Sequence, residues 1–523
     1  MATEAQFVGN RITSVNPATG EVLGEFPCAG EGEVRAAVGR ARAAQTDWHH
    51  AGIAARLNVL RKFQELLLER KHEVARLITR EAGKPVGEAL VAEVFVALDA
   101  ARFCIENAPE LLRPERLRYG NPALRAKSGK ILQEPWGVIG IVSPWNYPFA
   151  IPATEILAAL AMGNAVVLKP SEFTPMCAVE LASLLGRAGA PRGIVEIVIG
   201  EGPTGAALLA SDIDKIIFTG SVATGKRVGQ AAAARLLPAV LELGGKDPMI
   251  VLEDADMEVA SSGAVWGAFV NAGQACLSVE RCYVARRHYD KFVAVCAEKA
   301  AKLRVGNGLE PNTDVGPMIH ERQVRIVEEH VQEAVERGAR IAVGGNRLAA
   351  LGPNFYAPTV LADVNHSMRV MREETFGPVL PIMPVADEAE AVRLANDSEF
   401  GLAASIWTRN RAHGERLAAQ LNAGAVMIND AVTCFGIAEA PHGGVKQSGL
   451  GRTHGRAGLM EMVWPKFVDT DAMARMRKPW WYGYGPAFEE QMAAFSDWLF
   501  ARGAAKRVRA ALKSGGAVLR KKI

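Results

Sequence analysis

Short apolar segments alternate with helical segments between residues 131 and 218, and this alternation is the strongest constraint on the fold. Predicted strands cover 131–142, interrupted at Pro135-Trp-Gly137, and then 165–168, 194–199 and 215–218, while predicted helices cover 154–162 and 204–210. A strand that is buried on both faces is apolar throughout, so the pattern predicts a parallel sheet with helices on both sides. The fold class is therefore α/β.

The remaining chain divides around this stretch. A second α/β run extends from about 248 to 429, with predicted helices near 255–270, 287–303 and 320–337, and 466–470 is a predicted last strand. Before Cys104 the pattern is helical, with one apolar face made by Val59, Leu60, Phe63, Leu66 and Leu67. A chain of 523 residues exceeds one ordinary core, so we expect two or three domains.

Charge and cysteine content exclude several classes of protein. The net charge of +3 is too small to favour nucleic acid as a general partner. Seven cysteines without a CxxC pair or a Cys/His cluster indicate free thiols in a reducing compartment and no metal site. The polar N-terminus shows no signal peptide, and no apolar run is long enough to span a membrane, so we expect a cytoplasmic protein.

The segment Asn271-Ala-Gly-Gln-Ala-Cys276 follows an apolar stretch and carries a cysteine at its end. Cysteine attacks carbonyl groups as the thiolate, so a catalytic cysteine needs backbone N–H groups or a cation beside it and a base within reach. Gly273 lets the backbone approach closely, and Glu242, within Leu241-Glu-Leu-Gly-Gly-Lys246, is a candidate base. Most cysteines are inert core residues, so Cys276 by itself is a weak signal.

Two glycine-rich turns resemble nucleotide-binding loops without completing either pattern. Gly200-Glu-Gly-Pro-Thr-Gly205 matches GxGxxG after a strand, but Pro203 stands in its middle and no acidic partner ends the next strand. Gly220-Ser-Val-Ala-Thr-Gly-Lys226 lacks the Ser or Thr of a P-loop and has Arg227, which argues against a P-loop phosphotransferase. Both turns still offer free N–H groups at a helix N-terminus to a phosphate.

Lys169 and Glu172 lie at the carboxyl end of a predicted strand, where open parallel sheets bind their ligands. Together they offer a cation and a carboxylate to a ribose. A carboxylate that accepts from both ribose hydroxyls would repel a 2′-phosphate, so this pair favours NAD over NADP. A solvated surface pair is the simpler explanation for an isolated Lys-x-x-Glu.

Taken together, these segments resemble the aldehyde dehydrogenase superfamily over about residues 15–470. Seven motifs carry the resemblance in order: Pro144-Trp-Asn-Tyr-Pro148, Leu168-Lys-Pro-Ser-Glu172, Phe218-Thr-Gly-Ser221, Leu241-Glu-Leu-Gly-Gly-Lys246, Asn271-Ala-Gly-Gln-Ala-Cys276, Glu373-Glu-Thr-Phe-Gly-Pro378 and Gly443-Gly-Val-Lys-Gln-Ser-Gly449. Seven matches in sequence order are far more specific than any single one.

The resemblance implies an oxidation of an aldehyde to a carboxylic acid, with NAD or alternatively NADP as the cofactor. Cys276 would attack the aldehyde carbon, the Asn146 amide and the Cys276 backbone N–H would hold the oxyanion, and Glu242 would activate the hydrolytic water. Members that pass the acyl group to coenzyme A tend to lack this glutamate, so Glu242 favours a free acid as the product. The implied cofactor-binding residues are Pro144, Trp145, Lys169, Glu172, Gly202, Gly205, Phe218, Gly220, Ser221, Leu243, Glu374 and Phe376.

The resemblance also implies a domain organisation. A Rossmann-like cofactor domain would comprise 1–116 and 144–247, and an α/β catalytic domain would comprise 248–444. A small β bridging element would comprise 117–143 and 445–471 and pair subunits, so we expect a homodimer or homotetramer. A non-catalytic protein on the same fold is disfavoured because Cys276, Glu242 and Asn146 are all present.

The chain departs from the family at two positions. Glu155 stands where many members have a lysine, and Thr453-His454-Gly455 stands where they have an acidic residue, so both partners of a Lys/Glu proton relay are absent. The His-Gly form resembles branches that act on medium or long aliphatic or aromatic aldehydes. The alternative is a small polar substrate such as succinate semialdehyde, which would need a cationic anchor; Arg281 is a candidate, although a structural salt bridge explains it equally well.

Residues 472–523 form a basic, aromatic tail outside the family resemblance. Eleven Lys and Arg side chains face three acidic ones, and Trp480, Trp481, Tyr482 and Tyr484 cluster at its start. Phe488, Met492, Phe495, Trp498 and Leu499 are predicted to share one helical face, followed by a basic helix over 502–512. Two interpretations remain open: the aromatic face packs on the protein itself or on another subunit, or the tail lies on an anionic membrane surface.

Overall fold

The structure is a computed structural model that describes residues 10–121, 124–478 and 480–518. The N-terminal segment 1–9 and the last five residues, 519–523, which include the predicted basic residues Arg520, Lys521 and Lys522, lie outside this description, as do residues 122, 123 and 479. The strands are β1 Arg11–Val15, β2 Val22–Pro27, β3 Glu115–Leu117, β4 Lys127–Pro135, β5 Val138–Val142, β6 Ala165–Lys169, β7 Val195–Ile197, β8 Lys215–Thr219, β9 Ala239–Glu242, β10 Asp247–Val251, β11 Val279–Ala285, β12 Arg340–Val343, β13 Thr359–Ala362, β14 Val379–Val385, β15 Ala403–Trp407, β16 Ala425–Ile428, β17 Gly449–Leu450 and β18 Val463–Asp471.

Helices cover the faces of these sheets. They are α1 Glu31–His50, α2 Gly52–Glu69, α3 Lys71–Ala82, α4 Val86–Ala89, α5 Phe95–Leu111, α6 Ala150–Ala161, α7 Pro175–Arg187, α8 Gly202–Ala210, α9 Val222–Ala234, α10 Met257–Phe269, α11 Tyr289–Ala301, α12 Glu321–Glu336, α13 Glu388–Asn396, α14 Arg411–Ala418, α15 Gly455–Glu461, α16 Pro486–Phe500 and α17 Ala504–Val518. A π-helical turn, Leu90–Val94, joins α4 to α5. None of the described helices is long and apolar enough to cross a membrane.

The first large sheet has six strands in the order β17-β9-β8-β5-β6-β7. Strands β5 to β9 pair in parallel, and β17 adds an antiparallel edge. This confirms the predicted α/β class and the strands that were read from the apolar segments. Because β6 and β8 flank β5 on opposite sides, the chain reverses direction there, and the turns after β5 and β8 border the crevice in which such sheets bind ligands.

The second large sheet has seven strands in the order β12-β13-β14-β11-β10-β15-β16. All its pairings are parallel except that of β12 with β13. The three helices predicted in this region correspond to α10, α11 and α12. Buried apolar side chains form one large cluster around each large sheet, so the two sheets have separate cores.

Helix α2 illustrates how the helical layer is built. Leu60, Phe63 and Leu67 recur at helical spacing and are fully buried, as the sequence pattern predicts. Burying a side chain of this size contributes about 1.5–3 kcal/mol to the free energy of folding. The same layer brings the π-helical turn and α5 beside α6, and α3 beside the π-helical turn, and these elements support the candidate active site.

A third sheet has the order β18-β4-β3, with β3 antiparallel to β4. The boundaries predicted for the bridging element, 117–143 and 445–471, need correction, because β5 and β17 both belong to the six-stranded sheet. Strand β5 is apolar and lies between β6 and β8 in the six-stranded sheet. Strand β4 is amphipathic and belongs to the three-stranded sheet. By compactness, residues 114–132 and 467–523 form one unit and the rest of the chain another.

The tail contains two helices that pack on each other, α16 and α17. Ala494 in α16 and Ala510 in α17 are buried. Phe488, Phe495, Trp498 and Leu499 are half-buried, whereas Met492, which was predicted on the same face, is exposed. Trp481, Tyr482, Tyr484 and Phe500 are also exposed, so the tail hides only part of its aromatic surface.

Candidate active site

A cavity of about 310 Å³ lies between the two large sheets and brings Cys276 and Glu242 together. Its wall is mostly apolar, and Glu155, Glu242, His442 and His454 form a polar patch within it. The remaining lining residues are Val91, Ala92, Phe95, Val96, Tyr147, Ile151, Thr154, Thr219, Leu243, Trp266, Val270, Ala275, Leu277, Val432, Thr433, Phe435, Gly436, Ile437 and Thr453. A thiol, a carboxyl group and apolar walls thus share one cavity.

The turn that carries Cys276 has an unusual backbone. After α10 ends, Asn271, Ala272 and Gly273 all have positive φ, at 53°, 54° and 73°. A non-glycine residue in this region costs about 1–3 kcal/mol, so the surrounding structure must hold the turn in place. Gly273 has no alternative here, because a Cβ atom on it would lie 2.1 Å from the carbonyl oxygen of Gly377.

Hydrogen bonds from three sides hold this turn. The Asn271 backbone N–H donates to Glu88 at 3.0 Å, and the Asn271 amide donates to the carbonyl oxygens of Asn146 at 2.9 Å and Gln274 at 3.1 Å. The Asn146 side-chain amide also donates to the Gln274 carbonyl oxygen at 3.1 Å. Asn146 therefore lies against the turn that leads to Cys276, and its side-chain amide is engaged by the Gln274 carbonyl oxygen.

A buried ion pair fixes Asn146 from behind. Lys84 and Glu93 are fully buried and lie 2.6 Å apart, and Lys84 Nζ donates to the Asn146 carbonyl oxygen at 2.7 Å. Glu93 also accepts from the backbone N–H groups of Phe149 at 3.0 Å and Ala150 at 2.9 Å, at the start of α6. A buried pair that is hydrogen-bonded on all sides gives a specific local geometry, although its net contribution to stability is small.

Glu242 ends β9 and is buried, with 4% of its surface exposed. Neither of its carboxyl oxygens has a hydrogen-bonding partner in the protein, and the His442 imidazole lies 3.9 Å from the carboxyl group. Burial and the neighbouring Glu155 carboxyl raise the pKa of Glu242 well above its usual range. A carboxyl group in this setting takes up a proton readily, which suits a general base.

Burial also raises the pKa of the Cys276 thiol well above its usual value, and the nearby carboxyls of Asp247, Glu374 and Glu242 add to the effect. The thiol therefore keeps its proton at neutral pH in the protein alone. Attack on a carbonyl group requires that this proton leave the sulfur, so the thiol must give it to water or to a nearby carboxyl group.

The turn before β14 carries Glu374 and Phe376, and a second buried pair holds it. Lys246 pairs with Glu280, whose carboxylate accepts from the backbone N–H groups of Thr375 at 2.8 Å and Phe376 at 3.0 Å. Glu374 in turn accepts from the Gly245 N–H at 3.0 Å. Burial raises the pKa of Glu374 to about 8. The Phe376 ring meets the Trp145 ring edge-on, with centroids 5.4 Å apart.

The predicted ribose pair occupies the carboxyl end of β6. Lys169 Nζ lies 3.3 Å from Glu172, and the Lys169 side chain is 7% exposed. Open space remains beside the first turn of α8. A Cβ atom on Gly202 would meet nothing within 4 Å, and one on Gly205 would meet only the Lys169 side chain, at 3.9 Å. The chemistry of a carboxylate and an ammonium beside an open glycine turn fits a nucleotide ribose and phosphate.

The turn after β8 presents the N-terminus of α9. Ser221 caps this helix by accepting from the Thr224 N–H at 3.4 Å. Leu243 packs against Gly225, where a Cβ atom would lie 2.3 Å from the leucine side chain, and the Phe218 ring lies against Gly220 in the same way, at 2.8 Å. Pro144 and Trp145 follow β5 across the crevice.

The predicted residues therefore form two neighbouring groups. Cys276, Glu242 and Leu243 line the apolar cavity, and Asn146 supports the Cys276 turn. The other predicted cofactor residues lie outside the cavity lining, at the carboxyl ends of the first sheet and in the turn before β14. The sequence did not indicate four charged residues that support the site: Lys84, Glu88, Glu93 and Glu280. Each of them interacts with a residue at least nine positions away in the sequence, and no local motif marks such a contact.

The candidate cationic anchor, Arg281, does not reach the cavity. It is buried and donates to the backbone carbonyl oxygens of Lys246 at 2.8 Å, Leu394 at 3.1 Å and Ala395 at 3.0 Å. Its role is structural. Among the described residues that line the cavity there is no lysine or arginine.

Comparisons with known proteins agree on one family. The sequence model of the aldehyde dehydrogenase family matches residues 3–468. The chain is 40% identical over 494 residues to the 4,4'-diapolycopene aldehyde oxidase of Methylomonas sp, covering 94% of this chain and 91% of that protein. It is 40% identical over 465 residues to the mitochondrial succinate-semialdehyde dehydrogenase of Oryza sativa subsp. japonica, covering 88% and 86%.

A solved structure shows the same fold. The NAD+ complex of an aldehyde dehydrogenase from Bacillus cereus superimposes with a TM-score of 0.85 at 36% sequence identity. The match covers 88% of this chain and 94% of that structure.

Proposed function

The chain belongs to the aldehyde dehydrogenase family, and from that premise we propose that it oxidises an apolar aldehyde to a carboxylic acid with NAD, using Cys276 as the nucleophile. The observation that carries the proposal is one apolar cavity lined by both the Cys276 thiol and the Glu242 carboxyl. A thiol can capture an aldehyde carbon, and a nearby carboxylate can activate water against the resulting thioester.

Each step is assigned to a group of this chain. Cys276 gives its thiol proton to water as its sulfur bonds to the aldehyde carbon. The π electrons of the C=O bond move to the oxygen, where the Asn146 amide and the Cys276 backbone N–H stabilise the oxyanion. The cofactor, when bound, supplies the hydride acceptor. Glu242 then takes a proton from water as the water oxygen bonds to the acyl carbon, and the breaking C–S bond returns its electron pair to Cys276.

We assign the cofactor to the first large sheet. Lys169 and Glu172 would hold the adenosine ribose, the N-terminus of α9 with Ser221 would face the pyrophosphate, and Glu374 would hold the nicotinamide ribose. The half-buried Trp145 and Phe376 rings border the path between these sites. Because the Glu172 carboxylate would repel a 2′-phosphate, we propose a preference for NAD over NADP.

The shape and polarity of the cavity support an apolar substrate. At its outer end Val91, Phe95, Trp266 and Ile437 are large apolar residues that remain 46–67% exposed. Val91, Ala92, Trp266 and Val270 also line a second, larger space of about 840 Å³. A long aldehyde that enters the cavity can therefore continue along apolar surface outside it.

We expect the catalytic efficiency to rise with the chain length of a linear aldehyde. Each methylene buried against these walls contributes about 0.8 kcal/mol, so kcat/KM should rise by about three- to fourfold per methylene until the cavity is filled. The measurement is NADH formation at 340 nm with butanal, hexanal, decanal, benzaldehyde and succinate semialdehyde, each with NAD and with NADP. The variant Phe95→Asp should lower kcat/KM for decanal far more than for butanal.

Succinate semialdehyde is the alternative substrate, and the name of the rice relative favours it. Its carboxylate would be buried among apolar groups with no lysine or arginine on the described lining, which is costly. We therefore expect a kcat/KM at least about 100-fold below that of decanal. A higher value for succinate semialdehyde than for every apolar aldehyde would overturn the substrate assignment and leave the family chemistry intact.

We also propose that the protein forms homo-oligomers and works in the cytoplasm. Strand β18 stands at the edge of the three-stranded sheet and exposes Phe467, and an exposed edge is suited to pairing with another copy. All seven cysteines are free thiols, as expected in a reducing compartment. Light scattering should give a multiple of the 56.0 kDa chain mass, and a monomer mass would contradict the assignment.

For the tail we propose peripheral contact with an anionic membrane surface. Trp480, Trp481, Tyr482 and Tyr484 have exposed aromatic rings. Arg502, just before α17, and Lys506, Arg507 and Arg509 within it are also exposed and form a positively charged surface. We expect the full chain to sediment with phosphatidylglycerol vesicles at 50 mM NaCl and to be released at 500 mM. Replacing Arg502, Arg507 and Arg509 by Gln should abolish binding. The proposal would be contradicted if the protein sedimented equally with neutral phosphatidylcholine vesicles, or if it sedimented with neither kind of vesicle.

A further inference from the structure

The second space, of about 840 Å³, adjoins the apolar cavity that holds Cys276. The two spaces have four wall residues in common, namely Val91, Ala92, Trp266 and Val270. A chain that enters the cavity with its aldehyde end first therefore has its remaining length beside the walls of the second space. What those walls offer decides which group at the far end of a substrate is favoured.

The walls of the two spaces differ in charge. The described lining of the cavity contains no lysine or arginine, whereas the second space is lined by Arg76 of α3 and Lys299 of α11. Lys299 is already engaged, because its Nζ lies 2.7 Å from a carboxylate oxygen of Glu258 and donates to the Glu258 carbonyl oxygen at 2.9 Å. Arg76 is the cation that a ligand in this space can use.

The Arg76 side chain is exposed and, within the described part of the chain, has neither a hydrogen bond nor an ion pair. Its neighbours differ in this respect, since Arg70 just before α3 and Arg80 within α3 both form ion pairs. A guanidinium group is a planar fork of N–H donors that fits the two oxygens of a carboxylate. Arg76 therefore presents an unused carboxylate-binding group to the second space.

Acidic groups on the same wall do not occupy Arg76. Asp314 pairs with Arg304 at 2.9 Å. Glu88 is half-buried and accepts a backbone N–H at 3.0 Å, and burial raises the pKa of its carboxyl group to about 7, so it carries less than a full charge at neutral pH. Glu310 is exposed, so solvent and salt screen its repulsion of an anion.

We propose that the substrates include long ω-oxo carboxylic acids, whose aldehyde end reaches Cys276 while the carboxylate at the far end binds Arg76 in the second space. The inference rests on the proposed function and names the polar end group that the apolar cavity leaves undefined. Succinate semialdehyde carries the same two groups, but its short chain leaves the carboxylate inside the apolar cavity. Oxidising one end of a long α,ω-dialdehyde gives an acid of this class, so such a dialdehyde can be oxidised at both ends.

The test compares acids with their methyl esters, which keep the chain and remove the charge. The series is succinate semialdehyde and the ω-oxo acids of eight, twelve and sixteen carbons, each measured as kcat/KM from NADH formation at 340 nm with NAD. For succinate semialdehyde the ester should be the better substrate. Among the longer chains the acid should be better by about 3- to 10-fold at the length that spans both spaces. This preference should shrink between 20 and 500 mM NaCl, because salt screens an exposed ion pair.

Substitutions of Arg76 identify the anchor. Arg76→Gln should lower the acid-to-ester ratio of the long substrate to about one and leave kcat/KM for the ester and for decanal unchanged. Arg76→Lys should keep part of the preference, because it keeps the charge and loses the planar fork. The control is Arg61→Gln, since Arg61 is an exposed arginine of α2 that the described lining of either space does not include.

The outcomes separate this inference from the proposed function. A ratio of one or less at every chain length, or a preference for the acid that survives in Arg76→Gln, would overturn the role of Arg76 and leave the oxidation of apolar aldehydes in place. Equal loss of the preference in Arg61→Gln would show that general surface charge attracts the acid, which also overturns the anchor. The absence of NADH with every aldehyde, decanal included, would overturn the proposed function itself.

Discussion

Replacing Cys276 by alanine is expected to reduce aldehyde-dependent NADH formation by about four to six orders of magnitude, the effect of removing an essential nucleophile. Cys276 carries the only thiol among the described residues that line the cavity. Its turn is held by backbone and Asn271 hydrogen bonds that do not involve the sulfur, so the fold should be unaffected. The measurement is the rate at 340 nm with decanal and NAD, with a thermal melt of the same sample.

The chain offers a matched control in Cys434. This cysteine is buried and packs in the same small apolar cluster as Cys276, but it does not line the cavity. Cys434→Ala should therefore keep nearly full activity. Loss of activity in Cys434→Ala as large as in Cys276→Ala, or normal activity in Cys276→Ala, would mean that the nucleophile lies elsewhere.

Replacing Glu242 by glutamine is expected to preserve the first turnover and to slow all later ones. Glutamine has the same shape, and the Glu242 oxygens have no protein partner to lose, so the cavity should be preserved. Without a group that accepts a proton from water, the thioester should persist. Stopped-flow absorbance should show about one NADH per active site, followed by a steady state lowered by about 10²- to 10⁴-fold.

An exposed glutamate provides the control for this substitution. Glu439 pairs with Arg102 on the surface, and Glu439→Gln should leave both phases unchanged. If the burst in Glu242→Gln fell together with the steady state, Glu242 would be needed mainly for the first chemical step. Unchanged kinetics would remove it from the reaction.

The central part of the fold could be predicted because its physical signal is local. Strand β5 is apolar throughout, and β6 and β8 are apolar except at their ends, because helices cover both faces of the sheet. The glycine turns at Gly202 and Gly220 break the pattern after the strands end. The predicted bridging element wrongly included β5, because a local sequence pattern identifies a strand but not its neighbours in a sheet. Strands β4 and β5 are adjacent in sequence, and their pattern does not tell which sheet each one joins.

The supports of the active site could not be predicted because they depend on distant contacts. Lys84 and Glu93 look like ordinary helical surface charges, yet they are fully buried and hold Asn146 and the start of α6. His442 and His454 come together with Glu155 only after α6, β9 and α15 have packed. Residues that perform chemistry stand in recognisable motifs, whereas residues that position them are identified by partners far along the chain.

The most direct test of the whole account is mass spectrometry of Glu242→Gln mixed with decanal and NAD and quenched in acid. We predict that one decanoyl group is found on the peptide containing Cys276, and that it is absent when NAD is omitted. Such a product requires the nucleophile, the oxidation and the apolar cavity together. A peptide without the acyl group after NADH has formed, or an acyl group on another cysteine, would contradict the assignment of Cys276.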